Sequence, residues 1–131
     1  IPDSADLMQW EIGDHGFAMG LSPLVPETVG AALLPWLRDW LKDQSIDLEA
    51  VTSWAVHPGG PRILSTCAEV LSLDPGLLHE SRGILQDHGN MSSATILFIL
   101  DRLRRRSTPG PCLALAFGPG LSAEVALFDF E

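Results

Sequence analysis

Three short segments of the sequence place reactive or conformationally permissive residues where predicted elements end. His57 closes a β-rich run and is followed by Pro-Gly-Gly-Pro, in which glycines let the backbone approach a ligand and prolines stiffen the loop. Asn90, in HGNMSSAT, precedes an apolar segment with helical character. The third segment, GPGLSAE, contains Gly118, Pro119 and Gly120 between two predicted strands. Because α/β folds build their sites at the ends of such elements, all three segments are candidates for a functional site.

Each segment also has an ordinary structural interpretation. His57 could be a core histidine whose ring is satisfied by a backbone carbonyl. Asn90 could be the N-cap of the helix that follows it, a position that asparagine favours. The GPGLSAE segment could be only a β-turn. Taken one at a time, the segments leave the structural and the functional interpretations open.

Hydrophobic periodicity predicts the elements that must position these residues. The predicted order is ββαβαααββ, an α/β layer fold. A hairpin of residues 7–12 and 17–21 turns at residues 13–16, and Pro35 should kink or split the helix that follows. The other predicted elements are a helix over residues 27–42, a strand over 51–57, helices over 62–71, 74–88 and 91–106, and strands over 112–117 and 122–130.

The last predicted helix is almost wholly apolar from Ala94 to Leu100. A helix that is apolar on every side has to be buried on every side. A chain of 131 residues can hardly supply so much cover. We therefore expect this helix to belong in the middle of a larger layered structure.

Composition narrows the class of protein. The length of 131 residues and a hydrophobic content of 46% fit one domain with a packed core. A net charge of −9 argues against a nucleic-acid surface, which needs clustered Lys and Arg. The one basic run, residues 102–106, closes a predicted helix and is interpreted as a solvated helix end, where cations complement the dipole.

The cysteines and the ends of the chain indicate the cellular compartment and the extent of the protein. Cys67 and Cys112 lie far apart and outside any CxxC or histidine-interleaved pattern, so reduced, buried thiols in a soluble cytoplasmic protein are expected. No apolar stretch of 18 residues and no basic-then-apolar leader occurs. The chain starts with Ile1 at strand-like sequence, which is typical of a piece cut from a longer protein.

Taken together and in this order, the segments resemble a known family. AVHPGGPRIL, GNMSSATILFILDRLR and AFGPGLSAEVALF are similar to the C-terminal portion of chalcone and stilbene synthases, which are type III polyketide synthases of the thiolase superfamily. Upstream, WEIGDHGFAMGLSPLVPETV looks like the bacterial members, so the resemblance covers nearly the whole chain. It implies that residues 1–131 form the C-terminal half of an α/β thiolase-like fold, with a layered mixed sheet and helices on both faces.

The resemblance also implies roles for individual residues. His57 and Asn90 match the histidine and asparagine of the family's Cys-His-Asn triad. The cysteine of that triad belongs to the preceding half, and neither cysteine of this chain matches its motif. Met19 falls where plant members often place a gating phenylalanine, a departure that affects starter selection. The substrate-binding positions implied are Met19, Gly59, Gly60, Arg62, Ser92, Gly118, Pro119 and Gly120.

The implied reaction is a decarboxylative condensation of malonyl-CoA with an acyl-CoA starter. It needs no metal and no cofactor beyond the coenzyme A thioesters that serve as substrates. The implied partners are the missing N-terminal half and a second copy in a homodimer, with no nucleic acid and no membrane. Without the cysteine nucleophile, the chain alone is expected to be inactive.

Two other interpretations remain. One is half of a ketoacyl-acyl-carrier-protein synthase III-like condensing enzyme, although that family usually follows its histidine with Gln-Ala-Asn rather than Pro-Gly-Gly-Pro. The other is a non-catalytic thiolase-like module whose exposed apolar face binds a partner. An upstream cysteine at a strand-to-helix turn would favour an enzyme over such a module.

Overall fold

A small mixed sheet with helices on both faces forms the centre of the structure, a computed structural model that describes residues 1–107 and 109–130. The sheet consists of β3, β4 and β5, and a separate hairpin consists of β1 and β2. The strands are β1 Met8–Gly13, β2 Gly16–Leu21, β3 Ser53–Val56, β4 Cys112–Gly118 and β5 Ser122–Phe128. The helices are α1 Val25–Asp43, α2 Pro61–Val70, α3 His79–His88 and α4 Ala94–Arg106, with short 3-10 turns at Ala5–Leu7, Leu48–Ala50, Pro75–Leu78 and Pro119–Leu121.

The sheet contains both parallel and antiparallel pairs, as the sequence predicted. β3 pairs with β4 in parallel, in the register Ser53 opposite Cys112, and β4 pairs with β5 antiparallel. Because β3 and β4 run in parallel, their carboxyl ends lie at the same edge of the sheet. That edge carries the loops that follow β3 and β4.

Alternating residues of β3 divide the core into two layers. Trp54 and Val56 are fully buried in a cluster with the apolar faces of α1 and α2. Ala55, between them, lies in a second cluster that contains Ile84 of α3 and Ile99 of α4. Since successive side chains of a strand point to opposite faces, helices cover both sides of the sheet. The fold class predicted from the sequence is therefore correct.

Helix α1 is one uninterrupted element. Val29, Leu33 and Leu37 recur every four residues and are buried. The sequence predicted that Pro35 would kink or split this helix, and it does not split it. Pro35 is exposed, as is Ala31 four residues earlier, so the carbonyl that loses its helical partner lies on the solvent side.

Two helices begin later than predicted, each for a local reason. The Asp74 carboxylate accepts a hydrogen bond from the Gly76 N–H at 2.7 Å, which stabilises a separate 3-10 turn before α3. Ser92 has a φ of +57°, in the left-handed region, so a right-handed helix cannot run through it. α4 therefore begins at Ala94 rather than at Met91.

Helix α4 is buried on one side only. Thr95, Ile99 and Leu103 face the core, whereas Leu97 is 64% exposed and Phe98 is 47% exposed. The expectation that 131 residues cannot cover this helix on every side is therefore confirmed.

The basic run at the end of α4 has two parts. Arg104 and Arg105 are exposed and pair with Asp101, as expected for a solvated helix end. Arg106 instead contacts Glu80 of α3 at 3.0 Å, and the side chain of Glu80 is only 10% exposed. Arg102 bonds to Asp87 at 2.7 Å and holds the pKa of that carboxyl below its usual range. The run therefore also ties α4 to α3.

The hairpin of β1 and β2 has one apolar face. Trp10 lies opposite Met19, and Ile12 lies opposite Phe17, so these side chains share a face. All four are exposed, from 47% for Met19 to 83% for Ile12. Within residues 1–107 and 109–130, no helix has both the length and the apolar composition needed to cross a membrane.

Candidate active site

His57 lies directly after β3, at the carboxyl edge of the sheet. Its backbone N–H donates to the Leu115 carbonyl at 2.8 Å and so continues the ladder between β3 and β4. Its own carbonyl accepts from the Gly59 N–H at 3.0 Å, which turns the chain sharply. Gly60 then precedes α2, which starts at Pro61, a position that tolerates proline well. The strand and the turn together fix the backbone that carries the imidazole.

The imidazole of His57 contacts the loop between α3 and α4. Its Nε2 lies 2.7 Å from the carbonyl oxygen of Ser92. Because a carbonyl oxygen can only accept, Nε2 carries the proton in this contact. His57 is thus a half-buried histidine bonded to a backbone carbonyl, as the ordinary interpretation expects. The same bond brings its ring to the loop that contains Asn90.

The side chain of Asn90 is also held by Ser92. Its side-chain Oδ1 accepts a hydrogen bond from the Ser92 N–H at 2.8 Å. The Nδ2 amide group makes no hydrogen bond within the described part of the chain and is exposed. Asn90 is not the N-cap of α4, since that position is Ser93. Instead its carboxamide stabilises the turn that leads into the helix.

Ser92 therefore links the two candidate catalytic residues through its backbone. Its carbonyl accepts from His57 and its amide donates to Asn90, while its φ of +57° lets both groups face the site. The adjacent turn is held by the Met91 N–H, which donates to the buried Thr95 hydroxyl at 2.8 Å. Non-glycine residues in this conformation are uncommon and concentrate at functional sites.

The GPG segment lies at the same edge of the sheet. Gly118 ends β4, three residues beyond the Leu115 carbonyl that bonds to His57. Gly120 has a φ of +72°, a conformation that favours glycine, and it lies in the 3-10 turn that joins β4 to β5. The turn interpretation is correct, and the turn, which includes Pro119, follows the strand whose Leu115 carbonyl bonds to His57.

Two candidate substrate-binding residues lie outside this cluster. Met19 is on β2, opposite Trp10, and is 47% exposed. The hairpin nevertheless packs against the Pro119–Leu121 turn through β1. Arg62, near the start of α2, is exposed and forms no ion pair among the described residues. Among the described residues, neither of them forms a hydrogen bond or an ion pair with His57 or Asn90.

The two cysteines are unsuited to act as the nucleophile. Both are buried and unpaired with each other. Burial raises the pKa of the Cys67 thiol to about 12 and that of Cys112 to about 11. Since the thiolate is the reactive form, both thiols are inert near neutral pH. Their burial was predicted from the sequence.

Sequence reasoning missed Ser81, on α3. Its hydroxyl accepts a hydrogen bond from the N–H of Val56, the residue before His57, at 3.1 Å. The available signal was its position, since Ser81 lies between Leu78 and Ile84 on the buried stripe of the predicted helix. A serine on an apolar stripe needs a hydrogen-bond partner.

Comparison with known proteins identifies the family. The family described as chalcone and stilbene synthases, C-terminal domain, matches residues 1–129. The chain belongs to this family. The resemblance noted in the sequence is thereby confirmed, and the match favours chalcone and stilbene synthases over the ketoacyl-acyl-carrier-protein synthase III-like alternative.

Individual chalcone and stilbene synthase relatives show how much of the protein is present. The chain is 35% identical over 129 residues to 1,3,6,8-tetrahydroxynaphthalene synthase of Streptomyces peucetius subsp. caesius, covering 96% of this chain and 34% of that protein. The chain thus spans about a third of the length of this curated relative.

Solved structures of polyketide synthases share the architecture. A PKS-I from the brown alga Ectocarpus siliculosus superposes with a TM-score of 0.92 at 27% identity, over 99% of this chain and 37% of that protein. The 1,3,6,8-tetrahydroxynaphthalene synthase of Streptomyces coelicolor A3(2), a bacterial type III polyketide synthase, gives 0.91 at 32% identity, over 100% and 38%. The fold is therefore the C-terminal part of the thiolase-like fold of these synthases.

Proposed function

We propose that this chain supplies the histidine and the asparagine of a type III polyketide synthase active site. In the whole protein, that site would decarboxylate malonyl-CoA and condense it with an acyl-CoA starter. One observation carries the proposal: the His57 ring and the Asn90 carboxamide are both anchored on the backbone of Ser92. Two donor groups, Nε2–H and Nδ2–H, are thus held at one edge of the sheet.

These donors suit the charge that the reaction develops. Decarboxylation of a malonyl thioester places negative charge on the thioester oxygen as an enolate. Fixed N–H donors about 2.7–3.1 Å from that oxygen would stabilise it, each contributing about 3 kcal/mol. The Nε2–H of His57 is donated to the Ser92 carbonyl at 2.7 Å. The thioester oxygen would therefore share this N–H with the carbonyl or displace the carbonyl from it.

The nucleophile would come from the part of the protein that precedes this chain. An imidazolium beside a cysteine lowers the pKa of the thiol and favours the reactive thiolate. Cys67 and Cys112 do not fit this role, because burial keeps both protonated. The proposal requires no metal, and its partners are the missing half, coenzyme A thioesters and a second copy of the protein.

The substrate-binding roles form a further part of the proposal. The Gly118–Gly120 turn would shape the reaction chamber, because it lies at the same sheet edge as His57. Gly59 and Gly60 would allow the pantetheine arm to approach the backbone, with Arg62 nearby on α2. Met19, on the apolar hairpin face, would take part in starter selection.

Two substitutions in the full-length protein test the proposal. H57A would remove both the thiolate partner and an oxyanion donor, whereas N90A would remove only a donor. We expect both variants to lose malonyl-CoA decarboxylation, by a factor on the order of 100 or more. Alkylation of the catalytic cysteine near neutral pH should be slowed in H57A and retained in N90A.

Controls separate the proposed roles from general damage. H79A changes an exposed histidine at the start of α3 and should keep both activities. The 131-residue chain without its N-terminal part should give no condensed product. Equal alkylation rates in H57A and N90A would show that His57 does not activate the thiol. A full-length protein that lacks an upstream cysteine and turns over no malonyl-CoA would point instead to an interaction module.

A further inference from the structure

Ser81 is a buried serine in the first turn of α3, outside the cluster of candidate site residues. It is fully buried, and its hydroxyl accepts a hydrogen bond from the Val56 N–H at 3.1 Å. The two residues are 25 positions apart in the sequence. This bond therefore joins helix α3 to the end of strand β3, next to His57.

The pairing of β3 explains why the Val56 amide needs this partner. The His57 N–H donates to the Leu115 carbonyl, so that amide faces β4. Adjacent residues of a strand direct their amides to opposite sides of the strand. The Val56 N–H therefore points to the lateral edge of β3 that lies away from β4. Among the described residues, no strand pairs with that edge. Ser81 supplies the acceptor, and without it a buried amide would have no hydrogen bond.

α3 is also tied to the loop that carries Asn90. Its neighbouring residue Glu80 pairs with Arg106 of α4 at 3.0 Å, and Asp87 pairs with Arg102 at 2.7 Å. These contacts fix α3 against α4, and the loop between the two helices contains Asn90. Ser81 thus connects the strand before His57 to the helix pair that holds Asn90.

We propose that Ser81 is a positioning residue for His57. By holding the end of β3 against α3, its hydroxyl sets the separation that lets His57 Nε2 reach the Ser92 carbonyl at 2.7 Å. This inference rests on the proposed role of His57 for its catalytic meaning. The geometric part, that Ser81 controls the His57–Ser92 contact, stands independently of any activity.

The test compares variants that differ only in the hydroxyl. S81T keeps the hydroxyl and S81V has the same shape without it, so any overpacking by the added methyl group affects both variants alike. S81A is the simple deletion. S65A is the control, because Ser65 is exposed and its one hydrogen bond within the described part of the chain is to Pro61 of its own helix. All are made in the 131-residue chain and in the full-length protein.

Two readouts in the 131-residue chain do not depend on catalysis. In S81V and S81A, we expect hydrogen exchange of the Val56 amide to be at least about tenfold faster relative to β4 amides. The ¹⁵N signals of the His57 ring should lose the pattern of a bonded Nε2–H. S81T and S65A should retain both signatures. Unchanged His57 signals in S81V, or equal behaviour of S81T and S81V, would overturn the proposal.

Kinetics in the full-length protein give the catalytic readout. We expect S81V to lower kcat for malonyl-CoA decarboxylation about tenfold relative to S81T, with KM changed by less than about twofold. A parallel rise in KM with kcat unchanged would contradict a positioning role. If the full-length protein has no such activity, the proposed function fails, while the hydrogen-exchange and ¹⁵N comparisons still decide whether Ser81 positions His57.

Discussion

Ser92 holds a backbone conformation that few residues other than glycine adopt, and both candidate catalytic side chains depend on it. The φ of +57° directs its carbonyl to His57 and its N–H to Asn90. A β-branched side chain at this position would be strained, whereas glycine would adopt the conformation without cost. The backbone of Ser92 therefore contributes to the position of both side chains.

This dependence predicts a difference between two substitutions. S92G should keep the His57 contact, whereas S92V should lose about 1–3 kcal/mol of unfolding free energy and release the His57 ring. Denaturant unfolding and the ¹⁵N signals of the ring measure the two effects. S107V is the matched control, because Ser107 has a φ of +51° at the far end of α4. It should lose similar stability without altering His57. If S92V left the ring signals unchanged, Ser92 would not hold the histidine.

The cysteines provide a second prediction at this scale. Burial raises the pKa of Cys67 to about 12 and of Cys112 to about 11, from an ordinary value of 9.0. At pH 8 the thiolate fraction of each is roughly 10⁻³ or less. We expect a thiol-specific disulfide reagent to label neither cysteine in the folded chain and both in guanidinium. Rapid labelling without denaturant would contradict their burial.

The same pKa shifts set a pH dependence. Folding raises the pKa of the thiol, so its contribution to the free energy of unfolding is complete below pH 9.0. In that range the folded and the unfolded chain both hold the proton. Above that pH the unfolded chain releases protons that the folded chain retains. Stability should therefore fall as the pH rises from 9 towards 11, and the C67A variant should show a shallower decline.

The residues of the site were predictable from the sequence to different degrees. His57 and Asn90 stood out because each ends or precedes an element and lies in an unusual motif. The role of Ser92 as the bridge could not be predicted, since serine carries no signal for a positive φ. Ser81 was missed because its partner, a backbone amide 25 residues away, becomes its neighbour only after folding.

At the scale of elements, the pair α3 and α4 determines where the Asn90 loop lies. Glu80 is the buried anion of this pair, with Arg106 at 3.0 Å and Arg102 at 4.0 Å. An added Cβ at Gly83 would lie 2.9 Å from the Arg102 guanidinium, so the glycine gives that side chain room to cross α3. The helix pair is thus held by charge as well as by apolar packing.

Two double substitutions should separate this ion cluster from the exposed one. Replacing Arg102 and Arg106 by Met keeps the aliphatic stems but leaves Glu80 nearly buried and unpaired, which should cost about 2 kcal/mol of unfolding free energy. Replacing Arg104 and Arg105 by Met should cost less than about 1 kcal/mol, since both face solvent. Adding E80Q to the first variant should recover part of the loss. Equal losses in the two double variants would mean that Glu80 needs no partner.

Element boundaries were predicted well where a single cause acts and poorly where causes compete. β3 and α2 shifted by only a few residues, because a buried run and a proline define them. The helix through Pro35 was harder to predict, since the effect of the proline depends on whether the affected carbonyl faces solvent. The start of α4 depended on the left-handed conformation of Ser92, which its residue type does not signal.

At the scale of the whole molecule, two apolar surfaces have no cover within the described chain. The hairpin face consists of Trp10, Ile12, Phe17, Met19 and Leu21, and the α4 face consists of Leu97 and Phe98. Contiguous exposed patches of several hundred Å² are rare in monomeric proteins. The chain spans 34% of the length of a curated relative, so the proposed cover is the remaining part of such a protein.

The isolated chain should therefore self-associate. Burying about 400 Å² of apolar surface would contribute about 10 kcal/mol, part of which offsets the cost of association. We expect a concentration-dependent dimer or higher oligomer in sedimentation velocity, together with binding of a hydrophobic dye. The oligomer should dissociate on dilution, because mass action favours the monomer.

Opposite faces of the hairpin supply the matched comparison for this prediction. Ile12 and Phe17 are cross-strand partners on the apolar face, and Glu11 and Ala18 are the neighbouring partners on the other face. Each pair is replaced by two lysines, so both variants carry like charges directly opposite each other on the hairpin. The I12K/F17K variant should shift towards monomer and bind less dye, whereas E11K/A18K should associate like the unmodified chain.

If the unmodified chain were a monomer that withstands dilution and binds no dye, its apolar surfaces would not drive association. If both variants associated equally, the contact would lie on the α4 face instead, and L97K would then be the variant that dissociates.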